Sequence, residues 1–169
     1  LDRPRLNALQ ADDTLYTVLA HQPPGRIRIA TGSIGNADPA DACQRVRSLF
    51  RLAAGLENEP DLLISPEYSV PWDALVESIR EGIVPKPGKL WALGCESLPL
   101  CGLAAIRERL IDRAIVLDDD VSPVGLTTQR YRNPLVYVFR TKATDGLSDR
   151  LVLLVQYKTV PSGDPGNTE

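Results

Sequence analysis

Residues Leu62 to Ile64 form a short apolar run, bounded by Asp61 and Ser65 and halted at once by Pro66-Glu67. A run of this length does not make a buried helix; it fits a strand covered on both faces. A helical pattern precedes it. Asp38-Pro39 supplies a capping carboxylate and a proline suited to the first turn. Ala42, Val46, Leu49, Phe50 and Ala53 then fall on one stripe. Pro60 prevents extension, so the spacing predicts a helix over 38–57. A buried strand directly after an amphipathic helix restricts the chain to layered folds, because the stripe has to be covered by a sheet.

The same alternation recurs downstream. A second helix is predicted over 72–81, after Pro71, with Leu75, Val76 and Ile79 facing inward. The Pro-Gly loop 82–88 leads to an apolar strand over 90–94. A third helix over 103–113 places Leu103, Ile106, Leu110 and Ile111 in step. Residues 134–141 and 151–157 read as two strands around a polar turn at 142–149, able to pair as a hairpin. Arg26–Ala30 alternates, with Ile27 and Ile29 on one face, as a half-buried strand does. The segment before it admits one short strand at Leu15–Ala20, and 118–133 reads as irregular. The expected class is α/β, a mixed sheet covered by helices. Residues 1–25 are expected to be an extension or linker, and 26–169 one domain, a size that 169 residues accommodate.

Hydrophobic residues make up 43% of the chain and charged ones 24%, enough for a packed core. Nineteen basic residues against 22 acidic ones leave a net charge of -3, which argues against a general nucleic-acid or anionic-membrane binder. The longest apolar run, Leu151–Val155, is far too short to span a bilayer. No segment reads as a signal peptide. Cys43, Cys95 and Cys101 with the single His21 offer no zinc set, so reduced thiols and a cytoplasmic setting are expected. Asp118-Asp119-Asp120 reads as a solvated run rather than a cation site, and Arg130-Tyr131-Arg132 as a solvent-facing cluster. Gly32-Ser33-Ile34-Gly35 lacks the third glycine and the context of a dinucleotide fingerprint. No cofactor or metal is expected. The chain has no methionine, even at position 1, which leads to the expectation that it is a piece of a longer polypeptide.

Two positions carry chemistry. Glu67 lies immediately beyond the carboxyl end of a buried strand, where open α/β sheets place their ligands. Pro66 restricts where it points, and a partly desolvated carboxylate there suits general-base work. Lys158 closes Leu151–Tyr157, the most hydrophobic strand. It is one of only four lysines against fifteen arginines. A lysine held there offers a fixed cation for a developing oxyanion.

Together these segments resemble the carbon–nitrogen hydrolase (nitrilase) superfamily. In that family a strand and a long helix precede an Asp-Leu-apolar-apolar-x-Pro-Glu segment bearing the catalytic glutamate. Arg26–Ala30, the 38–57 helix and Asp61–Glu67 are similar in order and spacing. Leu90-Trp91-Ala92-Leu93-Gly94 resembles the family's next strand. Gln156-Tyr157-Lys158-Thr159-Val160-Pro161 resembles the segment with the catalytic lysine. The resemblance spans about residues 26–161. It implies the N-terminal half of an αββα sandwich and a Glu-Lys-Cys triad acting on amide or nitrile carbon–nitrogen bonds through a covalent acyl-enzyme. Glu67 is then the base, Lys158 the stabiliser of the tetrahedral intermediate, and a homo-oligomer packed through helices the implied assembly.

The departures are specific. In the family the nucleophilic cysteine follows the lysine, and this chain has none after Lys158. Cys95, in Gly94-Cys95-Glu96, superficially echoes the nucleophile turn but precedes Lys158. The stretch 118–133 reads as an insertion, and Tyr157 stands where many members have arginine. Two readings follow: a hydrolase domain whose cysteine lies beyond residue 169, or an inactive scaffold or oligomerisation domain of a larger protein, of which bacterial reverse-transcriptase fusions with defence roles are one kind. The hydrolase reading requires Glu67 and Lys158 within about 3 to 5 Å of each other.

Overall fold

The computed structural model describes residues 16–22, 24–30, 33–99, 101–118, 131–142 and 149–158. Residues 159–169, with Thr159 to Pro161 of the lysine segment, Asp119, Asp120, Arg130 and most of the 142–149 turn lie outside them. In chain order the elements are β1 (Val18–Ala20), β2 (Ile27–Ala30), β3 (Ser33–Asn36), α1 (Pro39–Gly55), β4 (Leu62–Val70), α2 (Trp72–Arg80), β5 (Leu90–Cys95), β6 (Leu98–Pro99), α3 (Gly102–Arg109), β7 (Ile115–Asp118), β8 (Tyr131–Arg132), β9 (Pro134–Lys142) and β10 (Asp149–Tyr157).

Local chemistry accounts for the helix limits. Asp38 accepts a hydrogen bond from the Asp41 amide at 3.1 Å and so caps α1, with proline in the first turn. Its stripe is buried at Ala42, Val46, Phe50 and Ala53. Pro71 likewise leads into α2, which buries Leu75, Val76 and Ile79. In α3 the expected stripe holds at Leu103 and Ile106 and continues to Leu110, but the chain leaves the helix before Ile111, which is 76% exposed.

Six strands form a mixed sheet in the order β1-β4-β5-β9-β10-β7. β1, β4 and β5 are parallel, β9 runs against both β5 and β10, and β7 is parallel to β10. The expected β9–β10 hairpin is present as a ladder from Lys142↔Asp149 to Pro134↔Tyr157. Two placements differ from expectation. The strand at 26–30 does not join the sheet; as β2 it pairs only with β3 in a separate two-stranded unit, and it is exposed throughout, Ile29 by 77%. The sheet edge beside β4 is instead β1, from within residues 1–25. β7 was also not legible: Ile115–Asp118 lacks a flanking breaker and is only half-buried, so neither alternation nor a continuous apolar core marks it.

The main core lies on one face of the sheet. Val46, Phe50, Leu75, Val76, Ile79, Leu103 and Ile106 of the helices pack there against Leu63, Trp91, Leu93, Val136, Val138, Leu153 and Val155. Phe50 stacks on Trp91 with ring centroids 4.7 Å apart and planes inclined by 19°, and both are fully buried. The other face carries a smaller apolar cluster drawn from strands alone, Leu90, Phe139 and Val152 with Leu62, Leu117, Tyr137 and Leu154 around them.

Between α1 and β4 the Glu59 carboxylate is buried, accepting from the Lys86 amide at 3.1 Å with the Lys86 ammonium 3.8 Å away. Burial pushes its pKa up, against the smaller opposing pull of Lys86. A raised folded-state pKa means the fold favours the protonated acid. That contribution is complete below the ordinary carboxylate range and is lost as pH rises through the folded value. Thermal melts of wild type and Glu59→Gln are therefore expected to diverge between about pH 4 and pH 7, the variant gaining relative stability as pH rises. Parallel melting curves across that range contradict this assignment.

Candidate functional site

The site is built by an irregularity in β4. Ser65 pairs with Leu93 and Val70 with Cys95, so five steps along β4 accompany two along β5. The intervening residues, Pro66 to Ser69, face Gly94 alone and form a bulge, the setting in which a non-edge strand tolerates proline. Ser69 Oγ donates to the Pro66 carbonyl at 2.7 Å and closes the bulge on itself. Tyr68 stands at φ +61°, in the left-handed region, the one described non-glycine residue to do so.

Gly94 is what lets the bulge form where it does. A Cβ at this position would sit 2.1 Å from the Pro66 carbonyl oxygen and 2.6 Å from the Glu67 α-carbon. The bulged backbone thus rests directly on β5. Ser65 Oγ accepts from the Gly94 amide at 3.2 Å, pinning the same crossing.

β4 and β10 are three strand positions apart, about 14 Å at ordinary spacing. The bulge and the end of β10 nonetheless bring their side chains together. Lys158 Nζ donates to Glu67 Oε1 at 3.0 Å, with Oε2 at 3.4 Å, across 91 residues of chain. The Lys158 amide donates to the Asn133 carbonyl at 3.0 Å, fixing where its side chain starts. The expected proximity is met, although the two strands are not neighbours. The expected desolvation of Glu67 is not met: its side chain is 60% exposed and that of Lys158 32%.

The pair lies in a cleft of about 460 Å³ at the carboxyl ends of β4, β5 and β10, lined also by Tyr68, Asn133, Leu135 and Gln156. Beside it the Arg132 guanidinium lies 4.8 Å from the centre of the Tyr157 ring. A second cleft, about 360 Å³, sits at the opposite pole among Ile79, Arg113, Arg140 and Arg150 and holds neither carboxylate nor lysine of the pair.

None of the cysteines supplies a ready thiolate to the pair. Cys95 borders the cleft but is 1% exposed, and burial, reinforced by Glu96, pushes its thiol well above the ordinary range. Cys43 is raised as well, chiefly by burial and then by Asp73. Neither Cys43 nor Cys101 borders the cleft. Asp118 is paired with Arg107 at 2.6 Å. Trp72 and Trp91 are core residues, as their size suggests, Trp72 Nε1 donating to the Glu96 carbonyl at 2.8 Å. Among the described residues, no helix is long and apolar enough to cross a membrane.

Sequence reasoning missed Tyr68, Asn36 and Glu96, which hold the bulge, and it left Gly94 without a role. Only Gly94 carried a signal, since a glycine inside or ending a strand marks a close backbone approach.

The described residues thus define a mixed α/β fold, a six-stranded sheet with three helices, and a cleft at its carboxyl edge that holds the Glu67–Lys158 pair. The chain matches no family model, no curated protein and no solved structure.

Two outcomes are expected from this geometry. Gly94→Ala forces the bulge off β5 and lowers stability by about 3 kcal/mol, measured by chemical denaturation; a loss under 1 kcal/mol is inconsistent with the contact. In native protein at pH 7.5 (roughly one unit below an ordinary thiol), an alkylating reagent modifies Cys101 readily and leaves Cys95 untouched, which peptide mass mapping resolves.

Proposed function

We propose that the Glu67–Lys158 cleft is the base-and-cation part of a nitrilase-type carbon–nitrogen hydrolase site, with the nucleophilic cysteine supplied from beyond residue 169. The supporting observation is the 3.0 Å contact between Lys158 Nζ and Glu67 Oε1 at the carboxyl edge of the sheet. The substrates are small amides or nitriles, for which a cleft of about 460 Å³ is ample.

In this reading Glu67 takes the proton from the incoming thiol as sulfur attacks the amide or nitrile carbon. Lys158 holds the charge that develops on the substrate oxygen or nitrogen. For an amide, the proton passes from Glu67 to the departing amine, and the base then activates water to hydrolyse the thioester. The sheet face clustered around Leu90, Phe139 and Val152 with strands alone suits a second sheet packed upon it, as an αββα sandwich requires. Association of copies through the helices belongs to the same proposal.

A second reading is favoured by the exposure of Glu67 and the deep burial of Cys95: an inactive relative of that fold, serving as a scaffold or oligomerisation domain of a larger protein. Ammonia release from a panel of amides and nitriles by the full chain separates the two. The hydrolase reading expects turnover that falls by about 10²- to 10⁴-fold in Glu67→Gln and about 10²- to 10³-fold in Lys158→Ala, with melting behaviour retained. Turnover indifferent to Glu67→Gln, or biological activity that survives it unchanged, leaves the scaffold.

A further inference from the structure

Tyr68 follows the proposed base directly, and its left-handed backbone is unfavourable for any residue with a side chain. A bulge held in that state needs an external restraint, and the neighbouring two-stranded unit supplies one. Asn36, at the end of β3, is 7% exposed. One hydrogen of its Nδ2 goes to the Tyr68 carbonyl at 3.1 Å, and the other to Glu96 Oε1 at 2.9 Å. Its own amide donates to the same Glu96 oxygen at 2.7 Å.

Glu96 is itself anchored. Its amide donates to the Val70 carbonyl at 2.9 Å, at the far end of the bulge, and its carbonyl accepts from Trp72 Nε1. Its side chain packs against Gly35, where a Cβ would come within 2.9 Å of Oε1. Ser97 adds two bonds to Ile34, accepting from its amide at 2.6 Å and donating to its carbonyl at 2.9 Å. The β2–β3 unit, which contributes no strand to the six-stranded sheet, is thereby stitched to the end of β5, and its Asn36 side chain reaches the bulge.

We propose that Asn36 is a positioning residue for Glu67: by holding the Tyr68 carbonyl it keeps the bulge in the conformation that presents the carboxylate to Lys158. The catalytic consequence rests on the hydrolase reading, whereas the geometric one does not. The residue type follows from the bonds. Aspartate lacks both side-chain donors and sets a second carboxylate against Glu96, and glutamine is one methylene too long for a buried position. Shortening to alanine removes the bond to the Tyr68 carbonyl and favours relaxation of Tyr68 to negative φ, which turns the Glu67 side chain away from its partner.

The test exploits the backbone, because glycine adopts positive φ without strain and removes the need for the clamp. The first readout is the Lys158 ammonium signal in ¹⁵N-edited spectra of the full chain, assigned by its loss in Lys158→Arg. Pairing with Glu67 slows proton exchange and keeps the signal visible, so Glu67→Gln abolishes it. Asn36→Ala is expected to abolish it too, and Asn36→Ala with Tyr68→Gly to restore it, Asn36→Ser serving where alanine prevents folding. The second readout is amide hydrolysis. Asn36→Ala lowers kcat by about ten- to a hundred-fold with KM unchanged, and causes no further loss when added to Tyr68→Gly. A Lys158 signal that persists in Asn36→Ala, or that the glycine fails to restore, overturns the proposal. A wild-type chain that hydrolyses nothing sinks the hydrolase reading, and the ammonium signal still decides the clamp.

Discussion

The carbonyl of Pro66 lies against the α-carbon of Gly94, and most of what distinguishes this sheet depends on that contact. A side chain at position 94 would hold the two strands at ordinary spacing and in continuous register. Without one, β4 rises out of the sheet for four residues and returns to pair Val70 with Cys95. The proline loses nothing by this, since a bulge asks no ladder hydrogen bond of it. The excursion is what carries a carboxylate across β5 and toward the end of β10. Had β4 run straight, Glu67 and Lys158 would lie about three strand spacings apart and could not act on one atom.

The surrounding layer keeps this edge rigid. Phe50 from α1 stacks on Trp91 of β5, three residues before the glycine, and the buried side chains of the three helices bear on the same face. Around them run ion pairs that are largely local to the helices. Arg47 reaches Glu77 and Glu81, Arg51 reaches Glu81, and Arg109 reaches Asp73. Such exposed pairs contribute about 0 to 1 kcal/mol each, so the hydrophobic layer and not the charges sets the stability.

The same magnitude bears on Glu67 and Lys158. An ion pair this exposed adds little to folding, yet a bulge, a left-handed residue and a glycine contact all converge on its placement. A solvated surface pair needs none of that apparatus, whereas a base and a cation serving one reacting centre need all of it. Stability does not account for that geometry, and the proposed pairing of a base with a cation does. A pair of groups is fixed in this way and not a substrate, because a fold does not select one.

Patterning by itself determined the helices and the inner strands. Asp38-Pro39, the apolar stripe and Pro60 delimit α1 from local chemistry alone, and continuous apolar runs mark β5 and β10 as strands covered on both faces, whereas in β4 only one face is covered and Ile64 on the other is 39% exposed. Lys158 was legible as a strand-end residue for the same reason, whereas Glu67, expected just beyond a strand end, lies inside β4, which resumes after the bulge and runs to Val70. Tertiary structure decided what local signals do not carry. Whether the alternating Arg26–Ala30 joined the sheet or stood outside it depended on which strand occupies the β4 edge, and that strand is Val18–Ala20. The half-exposed β7 and the exposed Ile111 follow from where the layer ends, which no window of sequence contains. The meeting of Glu67 with Lys158, and the clamp of Asn36 on Tyr68, depend on partners 91 and 32 residues away. A backbone at positive φ without glycine leaves no trace in the chain, because it is held by those distant bonds and not by the residue that adopts it.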